Sequence, residues 1–129
     1  MSTKTILVDA VDTFIVDAKI NEGMHNLLEK YPNKKIILTN ANDEQLTTFG
    51  LIDMPYEMFT LKHNPDKVVS SYFETMLSQY NLKAEDCIYF EHNIEAVKSA
   101  ESVGIKSYFY DADKMDLVSL EKFLNTNLF

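Results

Sequence analysis

Five short apolar runs recur along the chain, with helix-period segments between them, and this alternation narrows the fold more than any other feature. Thr5-Ile6-Leu7-Val8 is continuous and β-branched, as a strand buried on both faces requires. Ile36-Ile37-Leu38, Met58-Phe59-Thr60-Leu61, Cys87-Ile88-Tyr89-Phe90 and Ser107-Tyr108-Phe109-Tyr110 supply four further strands. Between the first two, Ile20, Met24, Leu27, Leu28 and Tyr31 recur at helical spacing, and Pro32-Asn33 closes that helix. Asn42 caps a short helix with Asp43 and Glu44 in its first turn and Gly50 at its end. Pro65 opens the longest helix, whose apolar stripe is Val68, Val69, Tyr72, Phe73, Met76, Leu77 and Tyr80. Asn93 caps a helix that carries Ile94, Val97 and Ala100 and ends at Gly104, and Leu117, Leu120, Phe123 and Leu124 mark a final one. The alternation predicts an α/β fold: a three-layer, doubly wound, parallel five-stranded sheet with right-handed crossovers. The 129 residues suit a single domain over 1–129, without repeats or linkers.

Charge limits the partners. Twelve basic and twenty acidic residues give a formal charge of −8, which excludes nucleic acid and anionic membrane as expected partners, since both need basic patches. All the basic residues are lysines, so the bidentate guanidinium fork for phosphate or carboxylate is absent. An anion site must then rest on Lys, hydroxyls, backbone N–H groups or a metal. The single cysteine, Cys87, lies in an apolar run and reads as a buried small hydrophobe. Met1-Ser2-Thr3-Lys4-Thr5 leads directly into the first strand with no signal-like apolar stretch, so a cytoplasmic location is expected.

In parallel sheets the chemistry gathers at the carboxyl ends of the strands. Asp9, Asp12 and Thr13 follow the first strand, and Thr39 and Asn40 the second. Lys62 and His63 follow the third, and Glu91, His92 and Asn93 the fourth. Asp111 and Asp113 after the fifth read as caps and turns, and His25 as a surface residue. Acid, hydroxyl, lysine and acid on four strand ends form a convergent set. Such a set holds Mg²⁺ between carboxylates and a phosphoryl group between Thr and Lys.

Taken in order, these four segments resemble the motifs of the haloacid-dehalogenase-like (HAD-like) hydrolase superfamily. Val8-Asp9-Ala10-Val11-Asp12-Thr13-Phe14 is similar to the first motif and Ile37-Leu38-Thr39-Asn40 to the second. Lys62-His63-Asn64-Pro65-Asp66 resembles the third, a lysine followed by proline at the mouth of a helix. Tyr89-Phe90-Glu91-His92-Asn93, with Gly104 beyond, resembles the fourth as it stands in the beta-phosphoglucomutase-like and nucleotidase-like branches. The resemblance spans residues 4–112. It implies a Rossmannoid core and a phosphatase reaction through an aspartyl-phosphate. Asp9 would be the nucleophile and a metal ligand. Thr39, with Asn40 beside it, would bind a phosphoryl oxygen, and Lys62 would neutralise phosphoryl charge. The carbonyl of Val11, Glu91 and His92 would complete the Mg²⁺ site.

Two positions depart from that pattern. Val11 stands where the general acid/base aspartate is expected, a loss of about 10²–10⁴ in rate for such a group. Asp12 is one residue too late to replace it, because one step along an extended segment reverses the side chain. His92 stands where a second metal carboxylate is expected, which weakens Mg²⁺ binding. Only about twenty residues separate Phe14 from Ile36, which leaves no room there for a cap domain, and the third strand runs directly into Lys62. The expected site is therefore capless and open, with a homo-oligomer as one way to supply a lid.

The residues and the resemblance together lead to a weak or specialised phosphohydrolase that prefers good leaving groups. The alternative is a catalytically degenerate relative that binds a phosphorylated small molecule or a phosphorylated protein. Haloacid dehalogenation ranks lower, since dehalogenases share the missing aspartate but rely on an arginine and a cap. A phosphoacceptor receiver domain would need an aspartate at the third strand.

Overall fold

The computed structural model describes residues 4–128; Met1, Ser2, Thr3 and Phe129, which the sequence reading includes, lie outside the described residues. Five strands, β1 (Thr5–Asp9), β4 (Lys35–Thr39), β5 (Glu57–Thr60), β6 (Cys87–Glu91) and β7 (Lys106–Phe109), pair in parallel in the order β5-β4-β1-β6-β7. All five expected strands are present, and the sheet is the parallel, doubly wound one that the alternation predicts. β1, β4 and β6 are buried along their whole length, which is why their sequences are continuous rather than alternating apolar runs.

Side chains leave β1 on opposite faces, and each face has its own core. Ile6 and Val8 pack with Met24 and Leu28 of α1 (Glu22–Leu28) and with Leu120 and Leu124 of α5 (Leu117–Leu128). Leu7 packs with Tyr72, Phe73 and Met76 of α3 (Ser71–Gln79) and with Ala100 of α4 (Ile94–Ser102). Truncating a fully buried residue such as Leu7 to Ala would cost about 2–5 kcal/mol. Helix α2 (Asp43–Thr48) begins in a capping box, with the Asn42 side chain accepting from Gln45 N and the Gln45 side chain accepting from Asn42 N. Asn93 likewise caps α4 by accepting from Glu95 N.

Several local expectations are corrected. Ile20 belongs not to α1 but to a small hairpin, β2 (Ile15–Val16) with β3 (Lys19–Ile20), and α1 starts after Asn21, which accepts from Met24 N. Asp17 and Ala18 turn that hairpin with φ of 53° and 60°, the left-handed geometry such two-residue turns demand. Gly50 lies against this turn: a Cβ there would stand 2.3 Å from the Ala18 carbonyl oxygen, so only glycine allows the contact. Tyr31 lies beyond the end of α1 yet stays buried.

Pro65 does not open α3. The helix begins six residues later, at Ser71, because the chain first turns to carry Lys67 toward the sheet, its N–H donating to Asn40 Oδ1 at 2.7 Å. Val68 and Val69 are consequently half exposed rather than part of the stripe. The longest helix is α5, with 12 residues. No second domain interrupts the sheet units among the described residues. Among the described residues, no helix is long and apolar enough to cross a membrane.

Candidate active site at the carboxyl edge of the sheet

The central strands β1, β4 and β6 deliver their last residues, Asp9, Thr39 and Glu91, to one edge. A pocket of about 240 Å³ opens there, lined among others by Asp9, Val11, Thr39, Lys67, Glu91 and His92. Thr39 is fixed from behind: the buried hydroxyl of Tyr72 donates to its carbonyl at 2.8 Å and lies 3.3 Å from the carbonyl of Phe59. The Thr39 hydroxyl accepts from Ala41 N at 3.2 Å, which leaves its own proton to offer.

Asp9 is buried and heavily solvated by protein donors. Its Oδ2 accepts from the Thr13 hydroxyl at 2.7 Å, from His92 N at 3.2 Å and from His92 Nδ1. Its Oδ1 accepts from the Lys67 ammonium at 2.7 Å. Glu91 ends the neighbouring strand, with Oε1 accepting from the Tyr89 hydroxyl and lying 2.8 Å from Lys67 Nζ. Its Oε2 accepts from Asn93 N at 3.1 Å and lies 3.2 Å from His92 Nδ1.

These contacts set the charges. Burial alone would raise the Asp9 pKa, but Lys67 and then His92 outweigh it and hold the carboxyl far below its usual range. Burial alone would lower that of Lys67, and Asp9 and Glu91 reverse the effect and keep the ammonium charged. Hydrogen bonds to Asp9 and then Glu91 push the His92 imidazole up to about 10, against a smaller opposing effect of burial. Burial first, and then Glu91, keep the Tyr89 phenol well above its usual value, so it remains a donor.

The structure therefore gathers Asp9, Thr39, Glu91 and His92, as the sequence led us to expect. It does not bring Lys62 to them. That side chain is 56% exposed and pairs with the still more exposed Asp43 at 3.1 Å. The buried lysine is Lys67, 7% exposed, whose third partner is the Leu38 carbonyl at 3.2 Å. Reading residues 65–80 as one helix hid it, since a lysine in a first helical turn looks solvated. Asn40 serves first as the acceptor that orients Lys67, through the bond to its N–H. Val11 lines the pocket with an apolar side chain, and Asp12, at φ 68°, stands at the pocket's rim with its carboxylate 63% exposed and 3.9 Å from His92 Nε2. His63 borders the pocket, 2.7 Å from Gln45 Oε1 and 3.2 Å from Asp66 Oδ2.

Asp9, Glu91 and His92 each offer an atom within 4.8 Å of the others, a spacing that a metal ion could bridge.

By sequence, no protein-family model and no curated protein matches the chain. By structure, it resembles a HAD-family enzyme of Bacteroides thetaiotaomicron, solved as an aspartate-to-alanine variant with magnesium and inorganic phosphate: TM-score 0.67 at 11% identity over 85% of this chain and 95% of that one. It also resembles the core domain of a candidate phosphoglycolate phosphatase from Streptococcus pneumoniae, with TM-score 0.64 at 15% identity over 98% of both chains. An uncharacterised protein of Corynebacterium glutamicum gives 0.63 at 18% identity over 95% and 96%. The chain has the HAD-like fold.

Proposed function

We propose that this protein is a specialised phosphohydrolase in which Asp9 accepts a phosphoryl group from substrates with good leaving groups. The observation that carries the reading is the asymmetry of the Asp9 carboxylate. Oδ2 is held by three donors, whereas Oδ1 has one, Lys67, and keeps a lone pair for attack on the side of the pocket. Lys67 contacts that oxygen, the Thr39 hydroxyl belongs to the same pocket, and both take up charge on the phosphoryl oxygens.

The first step forms a bond from Asp9 Oδ1 to phosphorus as the bond to the leaving oxygen breaks. An acyl or aryl phosphate leaves as a stable anion and needs no proton, so Val11 does not obstruct this step. The second step is attack of water on the aspartyl-phosphate, which releases inorganic phosphate and restores Asp9. With Val11 in place of a base, water is not activated, so this step is slow and the phosphoryl-enzyme accumulates.

Mg²⁺ does not fit the donor set. It takes near-octahedral oxygen donors at short range, but both oxygens of Glu91 and Oδ2 of Asp9 are already engaged by protein donors, and the third group is a nitrogen. No step is routed through a metal.

Release of phosphate from acetyl phosphate and p-nitrophenyl phosphate, in chelator, tests the reading. Turnover in the wild type that disappears in Asp9→Asn supports it. Equal rates in both would contradict it and favour a protein that binds a phosphorylated small molecule or protein without turnover.

A further inference from the structure

The imidazole of His92 occupies the space between the two strand-end carboxylates. Its Nδ1 is hydrogen-bonded to Asp9 Oδ2 and lies 3.2 Å from Glu91 Oε2, while its backbone N–H donates to the same Asp9 oxygen at 3.2 Å. Lys67 grips the other oxygen of each carboxylate, 2.7 Å from Asp9 Oδ1 and 2.8 Å from Glu91 Oε1. An imidazole nitrogen facing two carboxylate oxygens is a donor, and the imidazolium form balances the pair. Two buried carboxylates then face two positive groups, and these four charges balance without any added ion; the exposed Asp12 carboxylate, 3.9 Å from His92 Nε2, stands at the rim.

We infer that His92 is a tethered replacement for a divalent metal: it links Asp9 to Glu91 and closes the site to Mg²⁺. Three consequences follow from the contacts. An ion entering this space would have to displace Nδ1 from both carboxylates. It would also meet Lys67, whose ammonium protons are taken by Asp9, Glu91 and the Leu38 carbonyl. And a carboxylate at position 92 would reverse both effects, by removing one fixed cation and adding one hard oxygen ligand. In terms of the proposed reaction, which this part of the inference assumes, phosphoryl transfer to Asp9 proceeds in chelator. The exclusion of Mg²⁺ itself assumes nothing about phosphate.

The test needs no phosphorylated compound, so its failure is distinct from failure of the proposed activity. Thermal unfolding of the wild type and of His92→Asp is followed in millimolar MgCl₂ and in NaCl of equal ionic strength. The expected result is no change in wild-type Tm between the two salts and a rise of about 5 °C or more with Mg²⁺ in His92→Asp. A comparable rise in the wild type overturns the inference. Absence of a rise in both overturns it as well, because His92 would then not be what excludes the ion. Should His92→Asp fail to fold, ¹⁵N resonances of the wild-type imidazole decide the matter. Their constancy through a MgCl₂ titration supports the inference, and displacement of the Nδ1 resonance overturns it.

Discussion

Lys67 reaches back across 58 residues of chain to place its ammonium 2.7 Å from Asp9 Oδ1. It comes from the loop after β5, at the edge of the sheet, and joins the ends of β1 and β6, which are neighbours at its centre. The pair is buried, so its rupture leaves charge without water. Lys67→Met should lower stability to urea by about 3–5 kcal/mol, because Asp9 and Glu91 remain as neighbouring anions. Lys62→Ala should change it by no more than about 0.5 kcal/mol, as its exposed pair with Asp43 is screened. Equal effects of the two substitutions would contradict this placement.

The raised pKa of His92 makes stability depend on alkaline pH. A group whose folded pKa lies above its unfolded one stabilises fully below the unfolded value, here 6.5, and the contribution is lost as pH rises through about 10. The loss should be read as a falling Tm over that window. His92→Asn should flatten the fall. Asp9 has the opposite sign: its lowered pKa stabilises above 3.8 and the contribution is lost as pH falls further.

The sheet was legible because burial on both faces leaves a direct mark, the continuous apolar runs of β1, β4 and β6. The strand-end residues Asp9, Thr39 and Glu91 followed from it, since parallel strands point their last residues to one edge. Lys67 was not legible, because its position depends on how residues 61–70 turn, and Val68 and Val69 imitate a helical stripe while standing half exposed. The β2–β3 hairpin was hidden for a related reason. Its strands are two residues each, and Asp17-Ala18 lacks the glycine that usually marks such a turn.

Val11 limits the proposed chemistry, so restoring an acid there should extend it. Val11→Asp should raise phosphate release from a simple alkyl phosphate by about 10²-fold or more, and affect acetyl phosphate less. Parallel assays of the two substrates read the difference. An equal gain on both would show that leaving-group protonation is not what Val11 costs.

Thr13 carries a smaller share of the site. Its hydroxyl donates to Asp9 Oδ2 at 2.7 Å and the residue is fully buried, so Thr13→Val keeps the shape and deletes one donor. A loss of about 1–3 kcal/mol is expected in denaturant unfolding. An unchanged midpoint would mean that the His92 contacts alone satisfy that oxygen.

The central claim is that Asp9 takes the phosphoryl group. The direct measurement is intact-mass and peptide mass spectrometry of the protein quenched in acid after exposure to acetyl phosphate in chelator. The account predicts the added mass of one phosphoryl group, on the peptide containing Asp9, removable by hydroxylamine and absent from Asp9→Asn. No added mass together with no phosphate release, or the same labelling in Asp9→Asn, would contradict it.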